Sequence, residues 1–424
     1  MTPGGNARRV VITGLGVISS LGLGKEAFWE SLRGGISGIQ EITHFDPRPT
    51  GSRLGGEVRG FDPKAFMAAS KVRRLDRVSQ MAVAAARLAL EDARLPDSAE
   101  QRQKVGVILG SGLSGLVSTE AFFRSLLDLG PSGANPMFFP NTVPNAPASQ
   151  VAIEMGLKGP NVTLSHKEVS GENAIAYAAH LIRHGKADVL LAGAVDELSR
   201  LLHFSYWRLG ALSPNRSGRE EACCPFDLRR NGIVLGEGSG MVVLEELSSA
   251  LSRGAPIYQE VAGWAMSGSP CRVSEYEEGG EGLSRSMSMA LQMGKVGPQE
   301  PLVISACANS SPQLDLMEAR AIRRVWGDQA LRIPVSALKS MLGEFHSCGG
   351  LRVVASALSL QHQWIPPTIN YRMPDPACAL DFVPNVGRPA DFRHILINGS
   401  SNGGSHICLL LRKWVEGDLL ERSE

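Results

Sequence analysis

Short runs of β-branched and apolar residues alternate along the chain with longer Ala-rich runs. The first half reads, in order, VVITGLGVI, SQMAVAAARLALEDA, VGVILGSG, ENAIAYAAHLIRHG and ADVLLAGAV. Continuous apolar runs predict strands that are buried on both faces, and the Ala-rich runs predict the helices that cover them. The alternation therefore predicts an α/β fold with buried sheets.

A second series of the same kind follows the segment GMVVLEELSSALSRG. It begins at YQEVAGWAMSG and continues through LSRSMSMALQMG, PLVISACA, LRVVASALSL and HILING. The repetition predicts two related halves, residues 1–255 and 256–424. Two Gly- and Pro-rich joints, GPSGANPMFFPNTVPNAP and QWIPPTINYRMPDP, carry apolar residues between their helix breakers, which predicts long packed loops. We expect one compact unit, since no low-complexity linker or charge block appears.

Composition excludes several classes of function. The chain has 424 residues, of which 43% are hydrophobic and 20% charged, as in an ordinary globular protein. Because 43 Lys and Arg residues nearly balance 42 Asp and Glu residues, we expect neither a nucleic-acid partner nor a membrane partner. The longest apolar runs are too short to span a bilayer, and no metal-ligand spacing appears.

The cysteines indicate a reducing compartment. Seven are present without any CxxC pair, which is typical of reduced thiols in a cytoplasmic protein. Cys223 and Cys224 are adjacent, and adjacent cysteines rarely reach disulfide geometry, so we predict a pair of buried free thiols.

Three long motifs point to a known family. They are PFDLRRNGIVLGEGSGMVVLEE (225–246), VSALKSMLG (335–343) and IPPTINYRMPDPACALDFVPN (365–385). With them, the chain resembles the β-ketoacyl-acyl carrier protein synthases from VVITGLGVISSLG to GSSNGGSHICLLLRK. The resemblance implies a thiolase-like fold, a five-layer αβαβα sandwich made of two related α/β halves, which dimerises through its N-terminal half.

Active members of that family use one cysteine and two histidines. The cysteine, held as a thiolate at a helix N-terminus, carries the acyl chain, and the histidines bind the thioester oxygen and promote malonyl decarboxylation. In this chain the cysteine position is Glu168, in SHKEVSG. The two histidine positions are Cys307, in ISACANSS, and Glu344, in KSMLGEFH, where Lys339 is retained. A carboxylate forms no acyl thioester, so the resemblance implies that none of these residues is catalytic.

Two further motifs depart from the active pattern. Ala308, Asn309 and Ser311 replace residues that grip phosphopantetheine in active relatives. Near the C-terminus, the loop NGSSNGG lacks the two gating aromatic residues of active enzymes, and Ser400 and Asn402 are part of this degenerate loop. Four altered functional motifs in an intact scaffold resemble the chain-length factors of type II polyketide synthases, although those usually carry glutamine at the position of Glu168.

A chain-length factor is a non-catalytic subunit that forms a heterodimer with an active ketosynthase and shapes the acyl tunnel during polyketide or polyene elongation on acyl carrier protein. The resemblance therefore implies an active ketosynthase and an acyl carrier protein as partners. It implies no cofactor of the chain's own, since the carrier's phosphopantetheine reaches the partner ketosynthase.

The same resemblance places a tunnel gate at Leu116, Thr119 and Phe123. Their i, i+3, i+7 spacing predicts one face of a helix, and an ordinary core stripe has the same spacing. Met137 and Phe138, in ANPMFFPN, resemble a segment that reaches the dimer interface, and anchors of a packed loop are the alternative for this pair.

We expect Glu168, Cys307, Glu344 and Lys339 to line one pocket. A satisfied polar network that fills a dead site is one interpretation, and new acid/base or thiol chemistry is the other. His346 follows Glu344 by two residues, so in a helix it would point about 200° away and could not replace the missing histidine.

His166 and Lys167 precede Glu168 and are interpreted as packing or rim residues rather than catalytic ones. Two other functions stay open at the level of sequence. One is a decarboxylase, which in relatives depends on the two histidines absent here, and the other is a homodimeric protein that binds acyl chains or carrier protein.

Overall fold

The computed structural model describes residues 8–214, 220–297 and 299–415, so the outer ends of the two predicted halves lie outside the described residues. The strands are β1 Val10–Ser19, β2 Gly22–Leu23, β3 Gln40–Glu41, β4 Leu54–Gly55, β5 Gly106–Gly110, β6 Asn161–Leu164, β7 Val189–Asp196, β8 Gly238–Glu246, β9 Gln259–Gly268, β10 Leu302–Ser305, β11 Val335–Ser336, β12 Trp364–Ile365, β13 Arg388–Pro389, β14 His394–Ser401 and β15 Ser405–Lys413. The helices are α1 Lys25–Arg33, α2 Ala69–Val72, α3 Arg77–Asp92, α4 Ala99–Lys104, α5 Leu116–Leu129, α6 Ala146–Met155, α7 Ser170–Arg183, α8 Arg200–Arg208, α9 Leu247–Ser252, α10 Glu281–Met293, α11 Pro312–Trp326, α12 Lys339–Leu342 and α13 Gly349–His362.

One hydrogen-bonded path, β11-β10-β14-β15-β9-β1-β8-β7-β5-β6, connects the long strands, and β2 adds a short extra strand on β1. β1 and β9 share only two residue pairs, so the path divides there into two five-stranded sheets. Each sheet has two parallel pairings followed by two antiparallel ones, in the same chain order. The same strand order therefore recurs in the two sheets, and β9 opens the second series.

Helices fill the space between the two sheets and cover both outer faces. α7 and α13 lie in the middle, where they contact strands of both sheets and one core cluster surrounds them. α3 and α6 cover the first sheet, and α10 and α11 cover the second. The order is helix, sheet, helix, sheet, helix, which confirms the thiolase-like five-layer fold expected from the sequence.

Glycines allow the two central helices to approach closely. A Cβ atom on Gly171 of α7 would lie 2.7 Å from the backbone nitrogen of Gly350 on α13, which is too close for any other residue. The N-termini of α7 and α13 consequently lie side by side. The segments that precede them, which contain Glu168 and His346, meet at one place on the molecule.

Among the described residues, no helix combines the length and the apolar character needed to cross a lipid bilayer. Likewise, the described ranges contain no cluster of three or more His, Cys, Asp or Glu side chains that could hold a metal ion.

Candidate functional site

A cavity of about 620 Å³ lies at the N-terminal end of α7. It is lined by residues from both halves, including Glu168, Tyr206 and Gly232 from the first and Glu344 and Asn402 from the second. The site therefore forms only when the two halves pack together.

A tight turn directs Glu168 into this cavity. Lys167 adopts a left-handed φ of 50°, a conformation that costs energy for a residue with a side chain. The Ser170 hydroxyl closes the turn, because it accepts from the His166 backbone N–H at 2.9 Å and donates to the Lys167 carbonyl at 2.6 Å. α7 starts directly after this turn, so the Glu168 carboxyl lies where the positive end of the helix dipole faces the cavity.

The Glu168 side chain is only 6% exposed. Its Oε1 accepts from the Asn402 amide at 2.8 Å and lies 3.9 Å from His346 Nε2. Burial raises the pKa of Glu168; the nearby His346 opposes this shift and the charge of Glu344 adds to it. Its Oε2 has no hydrogen-bond partner among the described residues.

Glu344 lines the same cavity and is held by two donors. Lys339 Nζ donates to its Oε2 at 2.7 Å, and the Asn309 amide donates to the same oxygen at 2.6 Å. Lys339 is buried behind Glu344 and does not line the cavity. Burial by itself lowers the pKa of Lys339, but the adjacent Glu344 carboxylate together with Cys348 and Cys307 outweighs this and raises the pKa above its usual value. The retained lysine therefore neutralises the carboxylate that replaces a histidine.

The prediction for His346 was wrong. The chain is extended at Glu344, which forms a parallel bridge with Leu235: its N–H donates to the Val234 carbonyl and its carbonyl accepts from the Gly236 N–H. A turn follows, closed by the Cys348 N–H donating to the Phe345 carbonyl, so Glu344 and His346 do not lie in one helix. Phe345 points into the core, whereas His346 joins Glu344 in the cavity lining. Its Nε2 lies 2.7 Å from the Tyr206 hydroxyl. An imidazole is thus present in the site, although at another sequence position than in the active pattern.

The prediction for Cys307 was also wrong in one respect, since its side chain does not line the cavity. It is buried in the core, and its backbone N–H donates to the Glu318 carboxylate at 2.9 Å. Burial, together with the charge of Glu318, raises the pKa of the Cys307 thiol well above its usual value. A buried neutral thiol is not a nucleophile, so this residue contributes no thiol chemistry to the cavity.

The remaining predicted site residues lie partly in the cavity, partly at its rim and partly in the core. Asn402 reaches into the cavity and accepts from Lys167 Nζ at 2.9 Å, whereas Ser400 is buried beside it and bonds to His406 Nδ1 at 2.8 Å. Lys167 and His166 are exposed at the rim, as predicted. Cys223 and Cys224 are buried free thiols, also as predicted.

The segment expected to form a tunnel gate is a helix, α5, with an open face. Ser118 is the buried residue of this helix; Leu116 and Thr119 are half-buried, and Phe123 is 53% exposed. This burial does not fit a core stripe. Met137 is exposed as well and Phe138 is half-buried, so Met137 is not a core anchor within this chain.

Phe123 belongs to a wider apolar surface. Phe122 contacts both Phe123 and Phe139, which joins α5 to the turn at Phe139–Asn141. We define the α5 face as the exposed apolar side chains of these two elements and of the residues just before the turn: Val117, Phe123, Leu127, Leu129, Met137 and Phe139. Exposed apolar patches of this kind mark protein–protein contacts.

Sequence reasoning missed Tyr206 and the pair of Glu172 and Arg352. Tyr206 lies in α8, in a segment with several aromatic residues and no motif that singles it out. Glu172 and Arg352 form an ion pair of 2.9 Å that is almost fully buried and joins α7 to α13 behind the cavity. Their sequence separation of 180 residues hides this pairing from inspection of the chain.

Chemically, the cavity combines carboxyl, imidazole and phenol groups, which suits proton transfer and polar binding. All seven cysteines lie in the described part of the chain, and none of them lines the cavity. The described residues therefore offer no thiol for an acyl-thioester intermediate.

The chain is similar in sequence to known proteins over most of its length. A family model for the N-terminal domain of beta-ketoacyl synthase matches residues 7–250, and one for the C-terminal domain matches residues 258–372. The chain is 35% identical to a 3-oxoacyl-[acyl-carrier-protein] synthase 2 of Staphylococcus aureus (strain COL), over 96% of this chain and 99% of that protein. It is 37% identical to the enzyme of the same name from Coxiella burnetii, with the same coverage.

Solved structures show the same likeness. The ishigamide ketosynthase/chain length factor superposes with a TM-score of 0.90 at 33% identity, covering 97% of this chain and all of that one. A second similar structure is a type II polyketide synthase acyl-carrier protein in complex with its ketosynthase, bound to the hexaketide. One chain of that structure superposes with a TM-score of 0.88 at 31% identity, covering 96% of this chain and all of that one.

Proposed function

This chain belongs to the β-ketoacyl synthase family, and we propose that it serves there as a non-catalytic subunit of the chain-length-factor kind. It pairs with an active ketosynthase and shapes the acyl tunnel while a polyketide or polyene chain grows on acyl carrier protein. The observation that carries this proposal is Glu168, a buried carboxyl group tied to Asn402 where the family places its nucleophilic cysteine.

The rest of the site supports the same proposal. Cys307 is buried outside the cavity lining, and Glu344 is a carboxylate paired with Lys339, which accepts hydrogen bonds and cannot donate one to a thioester oxygen. In the assembly we propose, the phosphopantetheine of the carrier protein delivers its acyl group to the partner ketosynthase. All seven cysteines are free, which fits the reducing cytosol as the place where the pair works.

The α5 face supports the partner. Leu127 is 82% exposed and Phe123 is 53% exposed, and both lie in the N-terminal half through which the family dimerises. Burial of such side chains against a second subunit stabilises a complex by about 1.5–3 kcal/mol for each fully buried side chain. We propose that the ketosynthase covers this face and that Leu116, Thr119 and Phe123 meet the acyl tunnel there.

The test is coexpression of this chain with ketosynthases from the same genome, followed by native mass spectrometry and a condensation assay with malonyl-carrier protein. We expect a 1:1 complex that makes product only when both chains are present. Leu127→Asp should weaken that complex at least about tenfold, because it buries a charge at the interface. Val386→Asp is the matched control, since Val386 is also exposed but lies far from α5 in sequence, in the second half. A homodimer that ignores every ketosynthase, or condensation by this chain alone, would contradict the proposal.

A second function is favoured by one observation, the approach of His346 to Glu168 at 3.9 Å. A carboxylate next to an imidazole can transfer protons, so an enzyme with repurposed acid/base chemistry has residues to work with. His346→Asn separates the two functions. If the cavity is catalytic, product formation by the assembled pair is abolished; if the chain is a structural partner, the rate is unchanged.

A further inference from the structure

Two histidines lie side by side at the C-terminal end of α7. His180 and His184 are four residues apart, in the segment AAHLIRHG, so their side chains lie on the same face of the helix end. Their ring centres are 4.1 Å apart, and the ring planes differ by 35°. Both residues are exposed, so a solute can reach them directly.

A backbone hydrogen bond fixes the tautomer of His184. Its Nδ1 lies 2.9 Å from the His180 carbonyl oxygen, and a carbonyl oxygen can only accept a hydrogen bond. Nδ1 therefore carries the proton of the neutral ring and donates it, which leaves the electron pair of Nε2 available. Metal-binding histidines are held in the same way, by a hydrogen bond from the second ring nitrogen to a backbone carbonyl or a carboxylate.

His180 is kept in its neutral form by its surroundings. Burial of part of the ring and the neighbouring His184 both lower the pKa of His180 below its usual value. Among the described residues, neither nitrogen of the His180 ring has a hydrogen-bond partner. Each of the two rings therefore offers one unshared electron pair at neutral pH.

We infer that His180 and His184 together bind one divalent transition-metal ion of the zinc, nickel or copper class. Imidazole nitrogen is a preferred ligand of these ions, whereas magnesium and calcium prefer oxygen. A metal–nitrogen bond is about 2.0–2.1 Å long, so two rings whose centres are 4.1 Å apart can reach the same ion. Exposed side chains rotate readily, so the ring planes can adjust to the ion.

The end of α7 also favours a cation. The last carbonyl groups of a helix give its C-terminus a partial negative charge, and the two histidines lie in the last turn and at the cap. The guanidinium group of Arg183, which lies between them in sequence, stacks on the Trp264 ring of β9 at 5.6 Å from the ring centre. No third His, Cys, Asp or Glu side chain joins the pair among the described residues, so water completes the coordination and binding depends on both histidines.

The proposal departs from the expectation, drawn from the sequence, that no metal-ligand spacing is present. It requires neither the ketosynthase nor the cavity at the other end of α7. The 14 residues of this helix place about 21 Å between its two ends. The pair can therefore be tested on the full chain alone, whatever the outcome for the proposed function.

The test is isothermal titration of the untagged full chain with NiCl2 near neutral pH, with MgCl2 as the comparison. We expect one Ni²⁺ ion per chain and binding of Mg²⁺ that is at least about tenfold weaker. His180→Asn and His184→Asn should each weaken Ni²⁺ binding at least about tenfold, because one of the two protein ligands is lost. His362→Asn is the matched control and should keep the parent affinity: His362 is exposed in the last turn of α13 and stacks on Trp29, without a second histidine one turn earlier.

The pH dependence of binding gives a second readout. A proton competes with the ion for each ring, so the affinity for Ni²⁺ should fall as the pH drops below about 6.5. Because the substituted side chains are exposed, the variants should fold like the parent, and circular dichroism checks this. Absence of Ni²⁺ binding by the parent, an unchanged affinity in His180→Asn or His184→Asn, or an equal loss in His362→Asn would each overturn the inference.

Discussion

Replacing Glu197 with glutamine should make this protein more stable at neutral pH. Glu197 follows β7 and lies under the start of α5, where its Oε1 accepts from the Val117 backbone N–H at 3.1 Å. Its Oε2 is buried and has no partner among the described residues. Burial, aided by the charges of Asp76 and Glu237 and opposed by Arg77, raises the pKa of Glu197 to about 8.

The sign and size of the effect follow from this pKa. The folded state holds the proton more tightly than the unfolded state, whose carboxyl pKa is about 4.5. The contribution of Glu197 to stability is therefore complete below pH 4.5 and is lost progressively as the pH rises toward 8. At about 1.4 kcal/mol for each pH unit, the loss reaches roughly 1 kcal/mol at pH 5 and roughly 3 kcal/mol at pH 7. Glutamine does not titrate and still accepts from Val117, so Glu197→Gln removes this cost.

Urea unfolding of both proteins at several pH values between 5 and 8 measures the effect. The free energy of unfolding of Glu197→Gln should exceed that of the parent by an amount that grows from about 1 kcal/mol at pH 5 through about 3 kcal/mol at pH 7 to about 4 kcal/mol at pH 8. Glu91→Gln, which changes an exposed carboxyl group on α3, serves as the control and should follow the parent curve. A variant that is less stable than the parent at pH 7, or a difference that does not change with pH, would refute the reasoning.

Three further predictions concern other buried or exposed groups. Lys339→Met leaves the Glu344 carboxylate without its lysine partner and should lower the free energy of unfolding by about 3–5 kcal/mol at pH 7. Adding Glu344→Gln should restore most of that loss. Urea unfolding of the single and double variants measures both effects. Burial lowers the pKa of His203 to about 4, so the folded state binds fewer protons than the unfolded state as the pH falls from 6.5 to 4. Stability should drop by up to about 3 kcal/mol over that interval, and His203→Gln should flatten the measured curve by that amount. In the assembled pair, Phe123→Ala removes bulk at the proposed gate, so mass spectrometry should detect products longer by at least one two-carbon unit; an unchanged product would place the gate elsewhere.

The fold followed from the sequence because periodicity and long motifs both pointed to it. The run VVITGLGVI became β1, whose ten residues are all buried, and the Ala-rich run after Asp76 became α3, which starts where the Asp76 side chain accepts from the Ser79 backbone N–H. An apolar run and a helix-capping residue act on neighbouring residues, so both can be recognised in a short stretch of sequence. The helical spacing at Leu116, Thr119 and Phe123 also predicted a helix, but spacing cannot tell a core face from a face left open for a second chain.

The arrangement of the site could be predicted from the sequence only in part. Glu168 and Glu344 face one cavity as expected, because the family resemblance aligned both with positions of the catalytic residues. The orientation expected for His346 was wrong because it assumed a helical rotation per residue, whereas Glu344 lies in an extended bridge and a turn follows it. Tyr206 could not be found at all, because its contact with His346 joins residues 140 positions apart.

The position of β1 in the sheet has a consequence for synthesis of the protein. Its main partner, β8, ends at Glu246, and its pairing with β9 involves Glu260. At about 5–20 residues per second, a ribosome needs roughly 10–50 s to add the residues between β1 and the end of β8. During this time the ten-residue apolar strand β1 lacks its main partner β8 and can contact other nascent chains. Slow growth at low temperature prolongs that interval, so a chaperone that shields the first strand should raise the yield of folded protein more than a change in culture temperature.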